Sequence, residues 1–83
     1  MTPAGLLEII RSEIWELSLL RRRILEFRDS PANGYSWRAI SDELSVSVSR
    51  ARREYTAANA HLMRRGGPIR NAVEDLWKIP VLL

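Results

Sequence analysis

Apolar residues return at intervals of three and four along most of this chain, and that spacing predicts α-helix. Leu6, Ile10, Ile14, Leu17, Leu20, Ile24 and Phe27 form one broad stripe, widened by Leu7, Ile9 and Leu25. Ile40 and Leu44 share a helix face, and Val48, Ala51, Tyr55, Ala58 and Leu62 continue the pattern. Ile69, Ala72, Val73 and Leu76 make a last apolar face. Two breaks divide the pattern. Asp29 to Tyr35 contains Pro31 and an Asn33-Gly34 pair, which read as an interhelical loop because both flanks are helical. Gly66-Gly67-Pro68 is the second break and a helix stop. The expectation is an all-α fold, a single small helical domain over residues 1–83. It comprises a long N-terminal helix (1–28), a helical pair (36–65) and a C-terminal helix with a tail (68–83).

Thr2 and Pro3 start the first helix well, a capping hydroxyl followed by a residue whose missing amide costs nothing in the first turn. An unbroken run to Phe27 or Arg28 would be about 37 Å long. Trp15 and Leu19 lie off its stripe, among Glu8, Arg22 and Glu26, and form a small apolar patch of the kind that marks a contact surface. Either the C-terminal segment of the chain or a partner subunit would cover them. Arg21, Arg22 and Arg23 point around three sides of the helix. Near the end, Pro68 opens a helix to about Lys78, bordered by Trp77 and stopped by Pro80. The apolar tail from Ile79 to Leu83, with Leu82 within it, is expected to be buried on its own domain or on a second copy.

The stretch Ser36 to Tyr55 organises the middle of the chain. It predicts a short helix from Trp37 to Leu44, a corner of Ser45, Val46 and Ser47, and a second helix starting at Val48. Ser36 and Ser47 are good caps, and Val46 can plug the angle between the helices. Two helices meeting at a tight turn with an apolar lock resemble the helix-turn-helix family of DNA-binding domains. The likeness is to phage and plasmid repressor-like versions and to sigma-factor region 4. It spans about 20 residues and departs from the family at three places. Ser41 stands where many members have Ala, Ser45 stands where many have Gly in a left-handed conformation, and Glu54 occupies a late apolar position.

The resemblance implies a sequence-specific double-stranded DNA-binding transcriptional regulator, a dimeric repressor whose helix from Val48 reads the major groove. By position it implies contacts from Ser47, Ser49, Arg50, Arg52 and Arg53, with Thr56 at the edge and Arg38 near the DNA backbone. Arg53, in the middle of the outward face, is the first choice for a base edge. Trp15, Leu19, Trp77 and Leu82 are the candidate dimer or partner contacts. The alternative is a small helical adaptor that docks on a transcription or regulatory partner.

Charge distribution fits the first reading. The net charge of +3 is too small to decide anything. Residues 48 to 65 nevertheless carry Arg50, Arg52, Arg53, Arg64 and Arg65 against Glu54 alone, whereas residues 29 to 47 are net acidic. At 83 residues with no cysteine, the chain has neither disulfides nor thiolate metal sites. His61 is the only histidine and has no evident acid or nucleophile partner. The adjacent Asp42 and Glu43 point apart on their helix, and Gly66-Gly67 is a helix stop rather than a phosphate cradle. No enzyme activity, cofactor, metal or small-molecule substrate is expected. No run approaches the roughly 18 apolar residues of a membrane span. With no secretory signal visible, a cytoplasmic protein is expected.

Overall fold

Four hydroxyl side chains each accept a hydrogen bond from the amide three residues on, and each starts a helix. They are Thr2 to the Gly5 amide (3.1 Å), Ser18 to Arg21 (3.3 Å), Ser36 to Ala39 (3.1 Å) and Ser47 to Arg50 (3.0 Å). The computed structural model describes residues 2–30 and 34–77. Its elements are α1 (Pro3–Trp15), α2 (Leu19–Arg28), α3 (Trp37–Leu44), α4 (Val48–Leu62) and α5 (Pro68–Trp77). There is no strand among the described residues, so the all-α expectation holds. Pro31 and Asn33 of the predicted loop, and the tail from Lys78 to Leu83 with Leu82, lie outside the described residues. Among those described, no helix is long and apolar enough to cross a membrane.

The long N-terminal helix is corrected. It breaks at Glu16, Leu17 and Ser18 into α1 and α2. The Glu16 amide donates to the Ser12 carbonyl at 3.2 Å and the Leu17 amide to the Ile14 carbonyl at 3.1 Å, closing α1. Ser18 then turns extended (φ −57, ψ 154) and caps α2. The physical reason is that the two halves of the stripe serve different partners. α1 packs mainly against α5, whereas α2 packs against α4 and α3. An unbroken rod would hold both halves on one line. At the elbow, Leu17 is buried with Leu25, Ala58, Leu62 and Ile69, and Ile9, Ile10, Ile14 and Val73 pack around them.

A second cluster joins α2 to α3 and α4. Ile24, Ile40 and Ala51 are fully buried, with Leu20, Phe27, Leu44 and Val46 packed against them. Tyr55 touches both clusters. Its ring meets Trp37 edge-on at 5.2 Å, and its hydroxyl donates to Asp29 at 2.7 Å. Tyr35 stays exposed but lies against Phe27 at 4.8 Å, so of the two aromatics flanking the Ser36 cap it is Trp37 that packs inward.

Glu13 sits within the apolar stripe and is buried, a position where a carboxylate needs a cation. Arg64 supplies it at 3.0 Å and also donates to the His61 carbonyl at 2.8 Å. Arg64, just past the Met63 cap of α4, therefore reaches Glu13 of α1 and does not join the unpaired arginines of the outward face. Gly66 takes φ +75, and a Cβ on Gly67 would lie 2.8 Å from Arg64 Cγ. Both glycines are therefore needed to bring Pro68 round into α5.

Candidate nucleic-acid interface

The corner between α3 and α4 is closed by its own residues. Ser45 adopts a left-handed conformation (φ 54, ψ 41), and its amide bonds back to the Ser41 carbonyl. The Val46 amide reaches the same carbonyl at 3.3 Å, and the Ser41 hydroxyl donates to the Val46 carbonyl. Ser41, where resembling domains have Ala, thus ties the turn it precedes. Val46 packs into the Ile24–Ile40–Ala51 cluster, which fixes α4 relative to α3. Ser45 holds the left-handed turn expected of glycine.

From this corner α4 buries Ala51, Ala58 and Leu62 and turns its other side outward. Ser49, Arg50, Arg52, Arg53 and Thr56 are all exposed. Arg52, Arg53 and Thr56 line an open depression of about 370 Å³ whose floor includes Ala57 and Ala60. Small side chains there let a surface approach the helix closely while the arginines reach past it. Ser47 has its oxygen occupied by the cap, leaving its hydroxyl hydrogen free to donate. Arg38 is exposed in the first turn of α3, on the other arm of the corner.

The charges on this face are unbalanced. Among the described residues, no carboxylate lies within 4.0 Å of Arg38, Arg50, Arg52 or Arg53. The lone acid of α4, Glu54, is engaged by Arg21 of α2 at 2.7 Å. The Arg21 hydrogen bond holds the Glu54 carboxyl below its usual range, against a smaller opposing effect of burial and with help from the charges of Arg21, Arg50 and Arg53. Sequence reasoning missed this pair, because residues 33 apart are matched only by the packing of α2 on α4. No group of three histidine or acidic side chains suited to a metal occurs among the described residues.

Trp15 and Leu19 do not share one helix face, since the elbow separates them. They nevertheless line one open groove of about 700 Å³ together with Leu25 and Leu62. Both stand well out, with 75% and 62% of their surface exposed. The Arg22 guanidinium lies 4.4 Å over the Trp15 ring. Trp77, 83% exposed, belongs to α5 and does not line this groove.

Comparison with known proteins adds no relative. No family model, curated protein or solved structure matches the chain.

Proposed function

We propose that the chain is a double-stranded DNA-binding transcriptional regulator of the repressor type, acting as a dimer, with α4 as the helix that enters the major groove. The observation that carries this reading is the exposed arginine face of α4, with no carboxylate partner among the described residues, on a helix fixed against α3 by the packing of Val46. A cation with no carboxylate partner is available to phosphate, and the fork of an arginine also matches a guanine edge. In this reading Arg53 contacts a base, and Arg50, Arg52 and Arg38 contact phosphates. Ser47 and Ser49 add polar contacts close to the positive start of α4, and Thr56 adds one at the edge of the face. Two copies would set two such helices about one duplex turn apart on a near-palindromic site.

Selection of bound sequences from a random duplex pool tests the whole reading, with recovery of an inverted repeat as the expected result. Failure to enrich any sequence, together with no binding to random duplex at low salt, would end it. The second reading, an adaptor docking on a protein partner, is favoured by the Trp15 and Leu19 groove. Titration with random duplex separates the two: the regulator binds weakly and loses binding as salt rises, and the adaptor does not bind.

A further inference from the structure

We infer that the groove at the α1–α2 elbow is the seat of a second copy of the same chain, the two copies being related by a two-fold axis. Trp15 and Leu19 present apolar surface over an open concavity that Ile14, Leu25 and Leu62 also line, under a charged rim. A tryptophan brings on the order of 200 Å² to an interface, and an exposed one beside a groove is the side chain that most gains from cover.

Charge identifies the occupant. The groove lining carries Arg22 and Arg23 toward the start of α2 and Glu26 and Asp29 toward its end and cap, so the rim is cationic at one end and anionic at the other. A partner with a basic or acidic surface would find half of that rim repulsive. A second copy does not, because a two-fold axis reverses the direction of α2 and sets the cationic part of one rim against the anionic part of the other. The Arg22 guanidinium already lies over the Trp15 ring, so little of it remains to be ordered when the copies meet.

The α4 wall of the groove, Asn59 and Leu62, belongs to the last turns of that helix. Leu62 is on the buried side, opposite Arg53, so pairing through the groove leaves the arginine face open. The use of such a dimer to present two α4 helices to one duplex rests on the reading above, whereas the interface stands on the groove alone.

Sedimentation equilibrium of the full chain without DNA, from low to high micromolar, tests it. A dimer is expected, with Trp15→Ala shifting it to monomer while the helical circular dichroism is retained. Arg23→Glu and Glu26→Arg should each weaken association by about tenfold. The double variant should recover wild-type association. A monomer at every concentration would overturn the inference, as would a dimer indifferent to Trp15→Ala and Arg23→Glu, or a double variant weaker than either single one. Low-salt titration with random duplex, run in parallel, keeps the two proposals apart. A monomer that binds duplex removes the interface and the dimer but leaves α4 as the DNA-binding helix, and a dimer that ignores duplex removes only the DNA reading.

Discussion

Arg53 has no carboxylate within ion-pair distance among the described residues, while its neighbour Glu54 is held by Arg21 at 2.7 Å. That division of labour between adjacent side chains is what leaves α4 cationic on its outer face, and each half of it can be tested. Arg53→Ala is expected to cost about 1–3 kcal/mol of binding to a selected duplex if the contact is bidentate. Fluorescence anisotropy would read it, and unchanged affinity would remove Arg53 as a base reader. For Glu54 the sign of the pH effect follows from the lowered carboxyl. A carboxylate held down in the folded state stabilises fully above the ordinary carboxylate range and loses that contribution as pH falls through the folded value. Glu54→Gln should therefore lower the melting temperature at neutral pH, and the gap from wild type should close on acidification. A gap that stays the same from about pH 7 to about pH 2 would mean that the Arg21–Glu54 charge pair contributes nothing.

The elements differ in how openly the sequence declares them. Trp37–Leu44, the three-residue corner and the start at Val48 are local matters, set by Ser36 and Ser47 as caps and by Ile40, Leu44 and Val46 as the lock, and their bounds follow the pattern. The break at Ser18 was hidden. Apolar spacing runs straight through it, no Gly or Pro marks it, and a lone serine inside an apolar run does not by itself announce a cap. It is the burial of Leu17 against α4 and α5 that decides the break. The Glu13–Arg64 pair was hidden for the same reason, since a single acid in a stripe gives no notice of a cation from another helix. At the corner, the left-handed Ser45 pays a conformational cost that glycine avoids. Ser45→Gly removes that cost but makes the unfolded chain freer. The balance should be about 0.5–1 kcal/mol in favour of the variant. In thermal melts the midpoint should rise by a few degrees. A fall would show that the Ser45 side chain contributes more than its strain takes away.

At the scale of the whole molecule, a net charge of +3 gives little long-range attraction to a polyanion. Any strong salt dependence of duplex binding must then come from particular cations set against particular phosphates. Four exposed arginines at the corner, Arg38, Arg50, Arg52 and Arg53, are free of carboxylates among the described residues. If Arg38, Arg50 and Arg52 neutralise phosphates while Arg53 meets a base, the logarithm of affinity should fall with the logarithm of salt at a slope of about −2.7 per protomer, and twice that for two protomers on one duplex. Arg52→Ala should make the slope about 1 shallower for each protomer. Arg11→Ala is the matched control, because Arg11 is exposed on α1, away from the corner, and its loss should leave the slope unchanged. Equal effects from Arg11 and Arg52 would mean that the duplex senses the diffuse charge of the chain and not the face of α4. A flat dependence from low to moderate salt would mean that no arginine meets a phosphate, and the corner would then be only a way of packing two helices.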